Sequence, residues 1–355
     1  MKSHHKVIMP LALLLIGLAG CSDDDDPANP APVLWNQVAL DLPACDSQVA
    51  AIDFTGSYGM AIVRTIPAAT PKAGIAHDFL RLRPDGSWLA DDQVALRDDM
   101  VAMDLALDTT GKPIVAGYQV PGPPSVVADF RLPKAVYVEQ TSLGMLTVDG
   151  EGDFMVAGGR SRGGGLWTSK TAGVWTFDDL PLSGRNDSGF RDVYIRGDRA
   201  VACGYDDGAD TLQVILTRTS TTDWEKIPSG GPFNATYFCI AMTDEGTIFV
   251  GGIAGAGGPD PKAFLSQRTD DGLWADLVLP DPELLHGVMD ILIAADGDIY
   301  LACMGEGDQT LANLVHAGPG GVAREITPFP GGLLQLGQSA GGDIYAVGFR
   351  RNDGD

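Results

Sequence analysis

Basic residues are scarce in this chain of 355 residues. Its 24 Lys and Arg stand against 47 Asp and Glu, which gives a formal net charge of −23. This balance argues against nucleic acid as a partner, because phosphate binding needs a surface rich in Lys and Arg. Histidine and cysteine are equally rare, with five of each. No two cysteines lie close in sequence, so no metal centre is predicted.

Linear catalytic motifs are also lacking. No phosphate-binding loop or dinucleotide fingerprint lies between a predicted strand and a predicted helix. Gly159–Gly163 matches the G-x-S-x-G pattern around Ser161, but that nucleophile turn must lead into a helix and here leads into another strand. A carboxylate pair for glycoside hydrolysis cannot be selected among 47 acidic residues. We therefore predict no catalytic residue and no cofactor.

Turn-forming and apolar residues, in contrast, are abundant. The chain has 46 Gly and 23 Pro, and 45% of its residues are hydrophobic. So much Gly and Pro argues against a helical bundle and favours many short elements joined by turns. The apolar content is sufficient for a buried core, which excludes global disorder.

The first twenty residues have the composition of an export signal. Lys2 and Lys6 provide positive charge, and Val7–Gly20 is an apolar stretch of 14 residues, shorter than the roughly 20 that span a bilayer. The sequence Leu-Ala-Gly-Cys at 18–21 resembles the lipobox of bacterial lipoproteins. The resemblance implies cleavage before Cys21 and lipidation of Cys21, which would anchor the protein to a membrane. An ordinary signal peptide with an incidental Cys21 is the alternative.

Residues 21–32 are predicted to form a flexible tether. Ser22–Pro32 reads SDDDDPANPAP, which is too polar and too rich in proline to pack. Its four aspartates are interpreted as solvated charge rather than a cation site. Ser22 next to Cys21 is similar to the outer-membrane sorting pattern of enteric bacteria. The predicted location is therefore the cell envelope, with a lipid anchor on the outer membrane.

One motif recurs after residue 33, and it determines the predicted fold. A turn glycine followed by an apolar strand begins at Gly111, Gly152, Gly197, Gly246, Gly297 and Gly342, at separations of 41, 45, 49, 51 and 45 residues. Tyr58–Val63 is a weaker seventh copy. This period is typical of β-propeller blades. We predict an all-β protein in which residues 33–355 form a single β-propeller of seven four-stranded blades.

Each repeat predicts two inner and two outer strands. Met289–Ala294 precedes the turn dipeptide Asp296-Gly297, and Ile299–Ala302 follows as the second strand. A third strand follows a loop of variable length. The fourth strand begins near Trp35, Trp88, Val136, Trp175, Trp224, Trp274 or Val322.

The last repeat lacks its outer strands, because the sequence ends seven residues after Gly348. Val33–Leu42 has the pattern of a fourth strand and no inner strands before it. We predict that this segment completes the last blade and closes the ring, which removes free sheet edges. Since the last repeat has no obvious third strand, the segment could instead take that position in a three-stranded blade.

Two further segments resemble sialidase-like propellers. Ser169–Trp175 and Thr269–Trp274 are similar to degenerate Asp-boxes, the turns between third and fourth strands in those proteins. Phe-Arg-Leu-Pro at 130–133 is similar to the segment that supplies a sialidase with a carboxylate-binding arginine. Here it falls on the third strand of the second repeat, so Arg131 is predicted to be structural. The resemblance implies the propeller fold and keeps a glycan-active hydrolase or lyase as an alternative function.

The functional face is predicted to surround the central channel, where loops follow second strands and precede first strands. An acid-rich rim with some Arg and Tyr could bind a cation, a polar glycan or a basic protein segment. The leading prediction is a membrane-anchored, non-catalytic module that binds or scaffolds a protein or glycan; a purely structural role is also considered. The candidate ligand-binding residues are Arg160, Arg162, Tyr205, Asp206, Asp207, Glu306, Asp308 and Arg350.

Four cysteines remain after Cys21. Cys203, Cys239 and Cys303 lie in predicted inner strands, where cysteine behaves as a small hydrophobe, so free buried thiols are predicted. A disulfide between Cys203 and Cys239 across adjacent blades is the alternative, and Cys45 has no assigned partner. His77, His286 and His316 are predicted to be surface residues.

Overall fold

The protein is described by a computed structural model. Every regular element in the described residues is a β-strand, so the all-β prediction is confirmed. The described residues are 13–18, 34–39, 46–66, 75–120, 124–140, 146–152, 154–159, 165–182, 188–206, 213–232, 234–255, 261–269, 271–279, 285–305, 311–318, 323–330 and 332–349.

Six blades are each built from four strands that follow one another along the chain. They are preceded by β1 (Leu13–Leu18) and β2 (Leu34–Ala39). Blade 1 contains β3 (Asp46–Thr55), β4 (Tyr58–Ile66), β5 (Ala76–Leu82) and β6 (Trp88–Ala90). Blade 2 contains β7 (Met100–Leu107), β8 (Pro113–Gln119), β9 (Ser125–Asp129) and β10 (Val136–Gln140). Blade 3 contains β11 (Leu146–Glu151), β12 (Phe154–Gly159), β13 (Leu166–Thr171) and β14 (Val174–Phe177).

The other three blades of this kind have the same order. Blade 4 contains β15 (Ser188–Arg196), β16 (Arg199–Asp206), β17 (Gln213–Thr219) and β18 (Glu225–Ile227). Blade 5 contains β19 (Thr236–Met242), β20 (Ile248–Ala254), β21 (Lys262–Arg268) and β22 (Trp274–Leu277). Blade 6 contains β23 (Leu285–Ile293), β24 (Ile299–Gly305), β25 (Leu311–Ala317) and β26 (Ala323–Pro330).

A composite sheet joins both ends of the described chain. It contains β27 (Gly332–Gln338) and β28 (Ile344–Phe349) together with the N-terminal strands, in the order β2-β1-β28-β27. The described residues thus show six blades of consecutive strands, one fewer than the seven predicted, plus this composite sheet. β2 lies within the segment assigned to ring closure. β1 lies within the predicted export signal. Counted from β27, it is the third strand of the sheet.

The first strand of each sheet lies in a ring around a central channel, and these seven first strands are called the inner strands from here on. β3, β7, β11, β15, β19, β23 and β27 contact one another in this order, and β27 contacts β3. This arrangement is a β-propeller, as the repeat predicts. Adjacent sheets bury apolar side chains between them: Phe154 and Val156 of blade 3 pack against Phe190 and Val193 of blade 4. Full burial of such side chains contributes about 1.5–3 kcal/mol each.

The tryptophans that mark the fourth strands fasten neighbouring blades. Trp224 precedes β18, and its Nε1 donates to Asp178 of blade 3 at 2.8 Å. Trp175 on β14 donates in the same way to Asp129 of blade 2 at 3.0 Å. A buried indole N–H usually finds a partner, and these carboxylates supply it for Trp175 and Trp224; Trp274 donates instead to Pro228 O of blade 4 at 2.8 Å.

The turn between the first and second strands of blade 6, β23 and β24, differs from the predicted two-residue hairpin. The amide of Gly297 donates to Ala294 O at 2.9 Å, and the amide of Ala294 donates to Asp298 O at 2.8 Å. Gly297 has φ +87°, whereas Asp296 is not among the residues with positive φ. Three loop residues with glycine last are typical of a type I turn followed by a bulge, which requires positive φ at the glycine alone.

The cysteine prediction is confirmed for three residues. Cys203, Cys239 and Cys303 are free and buried, so the alternative bridge between Cys203 and Cys239 is absent. Cys45 lies outside the described residues. The histidines are half-buried rather than at the surface: His77 Nε2 accepts from the amide of Ala102 at 3.0 Å.

Candidate functional site: the central channel

Bulges in the inner strands shape one mouth of the channel. Six of these strands carry an extra residue in the first half of the strand, where the pairing register with the second strand shifts. Such a bulge bends the strand and redirects the side chain of the extra residue. We call these the bulge residues: Ala50, Met103, Arg191, Phe238, Met289 and Leu334. All of them line a cavity of about 440 Å³ at this mouth.

This mouth, which we call the entrance, lies at the start of the inner strands. It is therefore the face that the sequence predicts as functional. Arg64, near the end of β4, joins the bulge residues there. The opposite mouth, at the turns between first and second strands, holds a smaller cavity of about 290 Å³ lined by Phe54, Glu151 and Arg196 among others.

A belt of carboxyl groups lies between the two mouths. Five inner strands each contribute one aspartate, whose Oδ1 accepts from the amide of the following residue and whose Oδ2 accepts from an amide of the next blade. Asp53 shows the pattern: Oδ1 accepts from Phe54 N at 2.7 Å and Oδ2 from Leu107 N of blade 2 at 2.6 Å. The belt consists of Asp53, Asp104, Asp149, Asp192 and Asp290.

Two other residues connect the remaining pairs of inner strands. Gln335 Oε1 accepts from Ile52 N of blade 1 at 2.8 Å, and its Nε2 donates to Asp104 at 3.1 Å. Between blades 5 and 6, Cys239 Sγ donates to Val288 O at 3.6 Å. Every neighbouring pair of inner strands is thus linked by a side-chain hydrogen bond. A carboxylate suits this role because each of its two oxygens can accept a backbone N–H.

Burial raises the pKa of the belt carboxyls. They line a narrow channel and are enclosed by protein, so the charged form is poorly solvated. Desolvation raises the pKa of Asp53 and of Asp290 to about 7, against the opposing effect of the backbone hydrogen bonds. The pKa of Asp104 is also raised, and the pKa values of Asp149 and Asp192 lie well above the ordinary value because neighbouring carboxyls add to desolvation. At neutral pH the belt therefore carries much less than its full negative charge.

Two guanidinium groups occupy the entrance above this belt. Arg64 Nη1 lies 3.2 Å from Met103 Sδ. The side-chain oxygen of Gln48 accepts hydrogen bonds from the Arg64 guanidinium when the Gln48 amide is oriented so that its oxygen and nitrogen both have partners. Desolvation lowers the pKa of Arg64. The Arg191 Cζ lies 5.0 Å from the ring centroid of Phe238, a cation–π contact. Two cationic side chains therefore stand among five apolar ones at the entrance.

Most of the predicted ligand-binding residues lie outside the described part of the chain. These are Arg160, Arg162, Asp207, Glu306, Asp308 and Arg350; Cys21 and Ser161 also lie outside it. Tyr205 and Asp206 are described, both near the end of β16, and Asp206 is only 1% exposed. Lys226 Nζ lies 4.0 Å from the Asp206 carboxylate.

Arg131 is structural, as predicted. Its guanidinium donates to Asp129 at 2.7 Å, and the two side chains are 2% and 0% exposed. The same guanidinium donates to Ser169 Oγ at 2.6 Å. Arg131 is therefore enclosed between blades 2 and 3 and lines neither cavity of the channel.

The sequence did contain a signal for the belt. Aspartate interrupts an otherwise apolar inner strand in Met103-Asp104-Leu105 and again in Met289-Asp290-Ile291. A carboxyl group in such a strand must find fixed hydrogen-bond donors, because burying a polar group without a partner is costly. Recurrence at one position of the repeat therefore indicates donors supplied by the fold itself.

No group of three or more His, Cys, Asp or Glu among the described residues is arranged to hold a metal ion. No helix in this part of the chain is long and apolar enough to cross a membrane.

Known proteins share the fold without close sequence similarity. No protein-family model and no curated protein matches the sequence. A structure of YCF48 bound to a D1 peptide has 13% identity over 88% of this chain and 91% of that chain, with a TM-score of 0.58. Human WBSCR16 has 9% identity over 96% and 100%, with a TM-score of 0.52. The propeller domain of the Trilobed protease from Pyrococcus furiosus has 12% identity over 87% and 94%, with a TM-score of 0.51. Such likeness shows the β-propeller fold alone.

Proposed function

We propose that this protein is an extracytoplasmic lipoprotein, anchored through Cys21 to the outer membrane, that binds a segment of another protein at the entrance of its channel. The Leu-Ala-Gly-Cys sequence at 18–21 supports the anchor, and the acidic tether after it supports a domain held away from the membrane. In this proposal β27, β28 and β2 form the seventh blade once the leader that contains β1 is removed.

The entrance is the observation that carries the binding role. Arg64 and Arg191 are cations in a protein of net charge −23, and they stand among the apolar bulge residues Met103, Phe238 and Met289. A ligand that matches this surface has an anionic group next to apolar side chains. Guanidinium groups bind carboxylates through paired hydrogen bonds, and methionine adapts its shape to varied apolar partners.

A peptide with a free terminal carboxylate or an acidic side chain meets this description better than a neutral glycan does. YCF48, which shares the fold, has been captured with a peptide. Because the pKa values of the belt carboxyls are raised, the belt carries less negative charge near neutral pH and repels an anionic ligand at the entrance less strongly. Catalysis has no support in the described channel, where the carboxyls are committed to backbone amides.

An array of peptides tests the proposal. Each peptide is presented with a free C-terminal carboxylate and again as its amide, and a glycan array is probed in parallel. We expect binding to a subset of carboxylate peptides and a loss of about tenfold or more in the Arg64→Gln/Arg191→Gln variant, because buried arginines dominate such interfaces. The Arg83→Gln/Lys170→Gln variant removes the same charge from exposed positions away from the entrance and should bind like the parent. Binding only to glycans, or equal loss in both variants, would contradict the proposal.

A further inference from the structure

The two entrance arginines belong to blades that do not adjoin. Arg64 lies on β4 of blade 1 and Arg191 on β15 of blade 4, so the inner strands of blades 2 and 3 separate them around the ring. Their guanidinium groups also contact different neighbours, Met103 of blade 2 for Arg64 and Phe238 of blade 5 for Arg191. Both arginines line the same cavity of about 440 Å³. The entrance therefore offers two separate cationic positions to one ligand.

The Arg64 guanidinium has uncharged partners. Within the described part of the chain, its side chain contacts Met103 Sδ and the side-chain oxygen of Gln48. The opposite mouth of the channel differs, because Arg196 there forms an ion pair with Asp244. A half-buried guanidinium that lacks an adjacent carboxylate is poorly compensated, and desolvation lowers the pKa of Arg64 accordingly. An anionic ligand would supply that compensation at the entrance.

The apolar side chains of the entrance lie mainly on one side of it. Phe238, Met289 and Leu334 are the bulge residues of three consecutive inner strands, β19, β23 and β27, and we call them the apolar arc. Arg191 belongs to the blade before this arc, and Arg64 belongs to blade 1, which follows it around the ring. The apolar arc is therefore flanked by a guanidinium group on each side.

We propose that the entrance binds the C-terminus of a partner protein whose last residue is glutamate and whose preceding residue is large and apolar. The last residue has two carboxylates, and each binds one guanidinium group through paired hydrogen bonds. The preceding side chain packs on the apolar arc. Glutamate suits this arrangement better than aspartate, because its longer side chain lets the two carboxylates reach arginines on blades that do not adjoin.

This inference rests on the proposed function and narrows it to one class of peptide. Two anionic groups match two cations, so the charges of ligand and entrance balance. A single carboxylate would leave one guanidinium without an anion. An apolar residue next to the anionic one is required because the apolar arc adjoins both arginines, and methionine adapts to side chains of different shape.

Short acetylated peptides that differ only at their C-terminus test the inference on the wild-type protein. The reference peptide ends in Leu-Glu with a free carboxylate. Three others replace the glutamate by glutamine, convert the terminal carboxylate to an amide, or replace the leucine by serine. We expect each change to weaken binding about tenfold or more in fluorescence anisotropy, because each removes a charge-assisted contact or a buried apolar side chain.

The single variants Arg64→Gln and Arg191→Gln show whether the two carboxylates are bound separately. One variant should lose the preference for glutamate over glutamine and keep the preference for carboxylate over amide, and the other should do the reverse. Arg83→Gln, at an exposed position, is the matched control and should keep both preferences. The peptide series on the wild-type protein does not depend on the folding of any variant.

Three outcomes would overturn the inference. Equal affinity for the peptides that end in glutamate and glutamine would do so while leaving the proposed carboxylate site in place. Loss of the same preference in both arginine variants would show that one carboxylate takes both guanidinium groups. Equal affinity after leucine is replaced by serine would show that the apolar arc does not contribute. Failure of every carboxylate peptide to bind, in contrast, would contradict the proposed function itself and the inference with it.

Discussion

Cys239 Sγ lies 3.6 Å from the carbonyl oxygen of Val288 and links blades 5 and 6 without a carboxyl group. Cys239 directly follows the bulge of its strand, the position that belongs to Asp192 in blade 4 and to Asp290 in blade 6. We expect Cys239→Asp to lower the free energy of unfolding by about 3 kcal/mol or more, because a further buried carboxyl would lack a fixed donor. Cys239→Ala should cost about 1 kcal/mol. Guanidinium unfolding measures both values, and similar losses would contradict this account.

The buried thiols should be chemically inert in the folded protein. Burial raises the pKa values of Cys203, Cys239 and Cys303, so little thiolate forms near neutral pH. In a mature chain from Ser22 that carries Cys45→Ser, a thiol reagent should label none of these three cysteines until guanidinium is added, and then all of them. Rapid labelling of the native protein would show that the inner strands open readily.

Stability should fall as the pH rises from about 4 to about 7. Asp53 and Asp290 have folded-state pKa values of about 7 against an ordinary value of 3.8, so in this window the folded protein binds more protons than the unfolded chain. Proton loss then favours unfolding. Calorimetry should give a higher melting temperature at pH 5 than at pH 8. The Asp53→Asn/Asp290→Asn variant should show a shallower dependence, and a melting temperature that rises across this range would refute the assignment.

The Asp129–Arg131 pair should be far more important for stability than a half-exposed pair. Asp129→Ala leaves the guanidinium buried between blades with no carboxylate and removes the acceptor for Trp175. A loss of about 3–5 kcal/mol is expected in denaturant unfolding. Asp91→Ala breaks the pair with Arg81, whose side chain is 34% exposed, and should cost about 1 kcal/mol or less. The reverse order of losses would be inconsistent with this structure.

Membrane attachment should depend on Cys21. The resemblance to a lipobox predicts that Cys21→Ala moves the protein from the membrane fraction to the soluble fraction. Fractionation of the host cells, with immunoblotting of the wild type and the variant, measures the change. Cys45→Ser serves as the matched control and should leave the partition unchanged. Membrane partition of Cys21→Ala equal to that of the wild type would refute the anchor.

The repeat made much of the fold predictable, because turn glycine, apolar strand and tryptophan recur every 41–51 residues. Trp88 begins β6 and Trp274 begins β22, as expected for fourth strands. The belt was not predicted because its hydrogen-bond donors are amides of the next blade, whose position depends on the ring. The entrance arginines were not predicted because a bulge decides where Arg191 points, and pairing register cannot be derived from the apolar pattern alone.

The belt also affects how such a ring can evolve. Each carboxyl accepts from one backbone amide of its own strand and one of the next blade, so a substitution at one junction leaves these backbone hydrogen bonds of the other junctions in place. At two junctions the hydrogen bond between blades is made by the thiol of Cys239 and by the side-chain amide of Gln335 instead of by a carboxyl group. Duplicated blades can therefore diverge one at a time while the circle stays closed.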